Sequence, residues 1–352
     1  MNNKKSWLII TLVILLVVTG SVLSLAQDRK ITIATWGGLM AKTQEEAFFA
    51  PFTAKTGIQI EVAEITGDVV AKVKAQVMQN TPDFDLVCGT GVIDQVPLMA
   101  ASDALYEIDY SKIANAQDIP NEVKAKYGMG AYILSNNIAY NKKFYPNGGP
   151  QNMKDFFDTE KFPGPRAIIG FAPTGYLESA LIADGVPVDQ LYPLDVDRAF
   201  AKLDQLKPSI ALYWETGAQQ TQALIDEEVY CGMFWPGRAL ASRDAGVDLE
   251  YVWQDGHMIM DCWVIPKTCR DLDAVYQFLN FVLKPEQEVI FTRKMKYGSI
   301  NPKTVSLLTP EEQVNTVTYA ENMKKMYWVD YDYWSQNFES LSERFLNWIT
   351  QK

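Results

Sequence analysis

Between residues 31 and 88 the chain alternates β-branched runs with amphipathic stretches, and this rhythm leaves few folds open. Residues 31–35 (Ile31-Thr-Ile-Ala-Thr35) alternate in hydropathy and predict a strand. Thr43-x-x-Glu46 reads as a capping box ahead of Ala47, Phe48 and Phe52. Pro51 falls inside that helical pattern and is expected to kink or divide it, and Gly57 to close it. Residues 58–62 read as a second strand, residues 68–79 as a helix and residues 84–88 as a third strand. Strands separated by helices imply parallel βαβ units and an α/β fold. Neither a P-loop nor G-x-G-x-x-G occurs, so no motif marks this sheet as nucleotide-binding.

The character changes after residue 131. Residues 132–140 read as a long strand, followed by the turn-rich Tyr145-Pro-Asn-Gly-Gly-Pro150. The α/β rhythm then resumes. Strands are expected at 166–170, 229–235, 249–253 and 263–266, and helices at 177–183, 197–205, 218–225, 272–283 and 285–294. From about Pro310 the chain reads as helical and rich in Trp and Tyr, which suits packing.

Residues 2–5 are polar and basic, residues 7–18 are almost wholly apolar, and Ser24-Leu-Ala26 ends in small residues. That succession is a secretory signal peptide, with cleavage expected after Ala26. The apolar run is shorter than the roughly 20 residues a membrane span needs. About 325 residues remain, which suits two domains of roughly 100–200 residues. The net charge of −11 argues against nucleic acid or an anionic lipid surface as partner. The four cysteines, Cys88, Cys231, Cys262 and Cys269, form no C-x-x-C, so zinc and thioredoxin-like readings fail. Cys262 and Cys269 could form a bridge in an oxidising compartment or remain buried thiols. The one histidine, His257, follows Asp255-Gly256 and reads as an idle surface residue. With one His, no G-x-S-x-G and no H-E-x-x-H, a hydrolase is disfavoured.

Six stretches in order carry a resemblance. Ile33-Ala-Thr-Trp-Gly-Gly38 with Pro51-Phe-Thr-Ala-Lys-Thr-Gly-Ile58 is the first, and Phe84-Asp-Leu-Val with Gly89-Thr90 the second. Lys161-Phe-Pro-Gly-Pro-Arg166 follows, then Trp214-Glu-Thr-Gly-Ala-Gln219 through Cys231-Gly-Met-Phe-Trp-Pro-Gly-Arg238. Asp261-Cys-Trp-Val-Ile-Pro-Lys267 and Tyr297-Gly-Ser-Ile-Asn-Pro302 complete the set. The chain thereby resembles the periplasmic spermidine/putrescine-binding family of extracellular solute receptors, in the branch that includes γ-aminobutyrate receptors. The resemblance implies a two-lobed periplasmic-binding-protein fold (type II) with two hinge crossings and C-terminal helices. It places residues 27–135 and 266–320 in lobe one, 136–265 in lobe two and 321–352 in C-terminal helices, with crossings near Ser135 and Pro266. It implies a periplasmic, monomeric, cofactor-free receptor, not an enzyme. Such a receptor captures a small amine such as putrescine, spermidine or γ-aminobutyrate in the interlobe cleft and delivers it to an ATP-driven permease.

The resemblance also suggests a site. Asp261 matches the carboxylate that holds the ligand ammonium through a charge-assisted hydrogen bond. Trp36 and Trp235 match indole walls that clamp alkyl chains and attract cations. Tyr297 matches a further cleft aromatic, and Glu178 a second carboxylate, though a helix-face role suits Glu178 equally. Gly175, Val92 and Ile259 stand where polyamine binders have Asp, Tyr and Trp, so the site is poorer in anionic and aromatic groups. Arg238, three residues after Trp235, carries a planar fork suited to a carboxylate. Facing Asp261, it would suit a zwitterion; otherwise it pairs with Asp261 or Asp244. Thr90 and Thr216 could add hydroxyl contacts, and Gly37 could let backbone approach the ligand. A sugar or ferric-ion receptor is the alternative. A sugar would strand both Arg238 and Asp261, and a ferric site wants an adjacent Tyr pair, which is absent.

Overall fold

The computed structural model describes residues 29–65, 68–91 and 95–351; the expected signal segment and Val92 lie outside the described residues. Its strands are β1 (Lys30–Thr35), β2 (Gln59–Glu64), β3 (Leu86–Gly91), β4 (Met129–Asn141), β5 (Arg166–Ile169), β6 (Ile210–Trp214), β7 (Cys231–Phe234), β8 (Leu249–Val264) and β9 (Tyr327–Trp328). They lie in the order β2-β1-β3-β8-β4-β7-β5-β6, with β9 on β8. β1 pairs in parallel with β2 and β3, and β5 with β6 and β7. The long antiparallel pair β4 and β8 joins these two parallel ends.

Two buried clusters form on either side of that junction, because each parallel group needs helices to cover its faces. The first holds β1, β3, residues 129–134, residues 258–265 and the helices Leu272–Val282 and Pro285–Met295. The second holds residues 138–140, β5, β7, the helices Tyr176–Ala183 and Val196–Leu206, and the C-terminal helix Tyr331–Thr350. β4 therefore changes lobe between Leu134 and Ile138, and β8 between Val252 and Met258. The second crossing thus precedes Pro266, and Asp261 packs on the first lobe. The chain crosses a third time between Met326, in the first core, and Tyr327, in the second. β9 lies alongside this crossing, pairing Tyr327 with His257 and Trp328 with Met258.

Three local expectations are corrected. The first helix begins at Leu39, after Gly38 at φ 67°, so Thr43 is buried inside it rather than capping it. Its middle turn, Glu45–Phe49, widens to a π-helix just before Pro51. The missing proline N–H is absorbed there, and the helix continues to Gly57 in the left-handed conformation. Secondly, β8 runs unbroken through Asp255-Gly256, where a loop was expected. Asp255 takes φ 60°, the register with β4 shifts between Asn136 and Ile138, and Gly256 packs against the Asn137 amide. The turn signal is a bulge. Thirdly, His257 is consequently buried at 0 % exposure, with its Nε2 3.2 Å from Asn136 Nδ2. Burial lowers its pKa to about 3, so it is neutral. β6, an edge strand, was not anticipated from the sequence. All four cysteines are free thiols.

Candidate functional site

β1 and β3 end side by side, and the residues at their carboxyl ends build one wall. Trp36 is 38 % exposed and its Nε1 donates to the Gly89 carbonyl at 2.9 Å. Gly89 has φ +80°, and a Cβ there would stand 2.5 Å from the Trp36 ring and 3.0 Å from the Tyr132 hydroxyl. Only glycine permits that approach. Tyr132 is buried and lies opposite Asp261 on the neighbouring strand. Burial, and secondly the Asp261 charge, push the Tyr132 phenol well up, so it stays a proton donor. Asp261 is half-buried on β8, opposite Gly91 on β3 and Tyr132 on β4. Tyr132 also packs on Phe291 and Tyr297, with ring centroids 5.4 and 5.3 Å away.

The opposing wall comes from the second lobe. Trp235 follows β7 and packs against both cores. Its ring meets Trp214 edge-on, with centroids 4.9 Å apart, and its amide donates to Gln220 Oε1 at 3.0 Å. Arg238 stands in the first turn of the helix Pro236–Asp244. Its side chain lies on Gly217, where a Cβ would be 2.3 Å from Nε. That Nε is buried and has no hydrogen-bond partner among the described residues. At Gly237 the same helix reaches the first lobe, since a Cβ there would stand 2.3 Å from the Met295 carbonyl oxygen.

Tyr297 links the two walls. Burial raises its phenol pKa; the Arg238 guanidinium then lowers it and the Asp261 carboxylate raises it. Opposite charges carried by different lobes therefore act on one buried hydroxyl.

The remaining expected residues have other partners. The Thr90 hydroxyl is buried and donates to the Cys262 carbonyl at 3.2 Å, tying β3 to β8. Thr216 caps the helix Gly217–Ile225, accepting from the Gln219 amide at 3.3 Å while Gln219 Oε1 accepts from Thr216 N at 2.9 Å. Gly37 has the Glu64 carboxylate seated against it. Glu178 does not face the cleft. It is wholly buried and accepts from Gly175 N at 2.8 Å, Tyr192 Oη at 2.5 Å and Trp334 Nε1 at 2.6 Å. It anchors the C-terminal helix to the second lobe. Burial raises its pKa against the pull of those donors. Glu178→Gln places an amide where the three donors need acceptors. It is expected to cost about 1–2 kcal/mol, read as a melting temperature a few degrees lower. Tyr132 and Gly89 were not singled out as site residues from the sequence. The signal was present, because Tyr132 and Asp261 fall opposite each other on neighbouring strands. No cluster of three His, Cys, Asp or Glu side chains suited to a metal occurs among the described residues. No helix among them is long and apolar enough to cross a membrane.

A two-lobed α/β clamp with a charged, aromatic interlobe site defines a solute receptor rather than an enzyme. The chain belongs to the bacterial extracellular solute-binding protein family, which it matches over residues 47–325. It is 32 % identical over 333 residues to the γ-aminobutyric acid-binding protein of Pseudomonas aeruginosa, covering 93 % of this chain and 92 % of that one. It is 28 % identical over 140 residues to the spermidine/putrescine-binding periplasmic protein of Salmonella typhimurium, covering 39 % of this chain and 40 % of that one. Among solved structures it resembles an ABC transporter substrate-binding protein from Bradyrhizobium japonicum, with a TM-score of 0.85 at 32 % identity over 92 % of this chain and all of that one.

Proposed function

We propose that the cleft captures a small zwitterionic amine of the γ-aminobutyrate type and presents it to an ATP-driven permease. In this reading Asp261 takes the ammonium. Arg238 takes the carboxylate through its guanidinium, and Trp36 and Trp235 cover the methylenes. Ligand then bridges the lobes and shifts the population towards the closed form. The observation that carries the reading is an Arg238 guanidinium on the wall opposite that of Asp261, its Nε buried and without a hydrogen-bond partner among the described residues. The γ-aminobutyric acid-binding relative supports it. A periplasmic location, with the signal segment removed after Ala26, is part of the same proposal. A polyamine is the second reading, supported by the spermidine/putrescine-binding relative. It is weaker because Glu178, the expected second carboxylate, is engaged elsewhere.

A thermal-shift screen of 4-aminobutyrate, putrescine and spermidine tests this, because a ligand that binds only the folded state raises the melting temperature. We expect 4-aminobutyrate to give the largest shift and Arg238→Ala to abolish it. A larger putrescine shift that survives Arg238→Ala would replace the zwitterion with a polyamine.

A further inference from the structure

We infer that Glu64 selects ligands by charge at the mouth of this cleft, favouring a cationic outer end and rejecting a second carboxylate; the inference rests on the amine-receptor reading above. Glu64 is the last residue of β2 and pairs with Thr35 at the carboxyl end of β1. Ligands of open α/β sheets bind at such strand ends. The side chain is exposed, and its carboxylate lies over Gly37: a Cβ there would stand 2.7 Å from Oε2 and 3.1 Å from Oε1. Gly37 adjoins Trp36, the Trp36 indole rests on Gly89, Gly89 abuts the Tyr132 hydroxyl, and Tyr132 lies opposite Asp261 on the neighbouring strand. One wall thus carries two carboxylates, Asp261 inside and Glu64 at the rim, with an exposed indole between them. The neighbouring Glu61 is neutralised by Lys30 at 2.8 Å. No ion pair involves Glu64 among the described residues. With Arg238 as the cleft's cation, the wall has one negative charge more than a neutral zwitterion requires.

At the effective dielectric of a protein surface, one unit charge within several ångströms of another changes affinity by about tenfold, less at high salt. The experiment compares wild type with Glu64→Gln, an exposed and nearly isosteric change. Calorimetric titration measures putrescine and 4-aminobutyrate directly and glutamate by displacement. We expect the affinity of putrescine relative to 4-aminobutyrate, whichever binds more tightly, and of 4-aminobutyrate relative to glutamate, each to fall about tenfold. Glu64→Lys should shift both further, and high salt should shrink the differences. Unchanged ratios overturn the role of Glu64 while leaving the receptor reading intact. A wild-type protein that binds neither amine overturns both.

Discussion

Asp261→Asn is expected to weaken amine binding a hundredfold to a thousandfold while leaving the fold and melting temperature of the unliganded protein almost unchanged. The substitution keeps the shape of the side chain opposite Tyr132. What it removes is the negative charge facing the ammonium. Removing one partner of a desolvated ion pair costs about 2–5 kcal/mol, much of it from the cation left unpaired. The loss should be concentrated in the dissociation rate. Titration calorimetry against 4-aminobutyrate, with a melting curve of the ligand-free variant, reads both effects. Tight binding by Asp261→Asn would remove Asp261 from the proposed site.

A second large effect is a pH dependence of stability that originates in a buried carboxyl group. Glu288 is buried on the helix Pro285–Met295, where Asn301 N donates to its carboxyl group at 3.0 Å and Thr304 Oγ1 at 2.7 Å. Burial outweighs these bonds and raises its pKa from 4.5 to about 8. The unfolded chain releases this proton above the ordinary value, whereas the native state holds it to about pH 8. Between those limits the native state binds more protons, so its stability falls as pH rises. The slope is about 1.4 kcal/mol per pH unit per proton. Urea unfolding at intervals from pH 5 to pH 8 should therefore give a declining free energy, and Glu288→Gln should remove this contribution. An identical slope in wild type and variant would show that Glu288 ionises alike in both states.

The sequence was readable where local chemistry and tertiary role coincide. β1 and β2 alternate in hydropathy, and Gly57 ends a helix as only glycine comfortably does. Asp255-Gly256 misled because it is a genuine turn signal; only the shift of register opposite Asn137 keeps the strand extended through it. That one misreading also sent His257 to the surface. Glu178 was ambiguous for a different reason. Two of its partners, Tyr192 and Trp334, are 14 and 156 residues away, and no local pattern brings them together. The candidate pair Asp261 and Arg238 became visible through the resemblance, since their meeting depends on how two lobes dock. Tyr132 was legible in principle, but only once β4 and β8 were known to be neighbours.

The threefold passage of the chain between the lobes has a practical outcome. Arg29 is bound to Asp271 on the first lobe, whereas Trp348 is buried in the second. The two ends of the described chain are therefore packed on different lobes. Closure of the lobes around ligand, as proposed above, would swing one end relative to the other. Dyes attached near Lys30 and Thr350 would convert that swing into a change of energy transfer, making the protein a sensor for its own cargo.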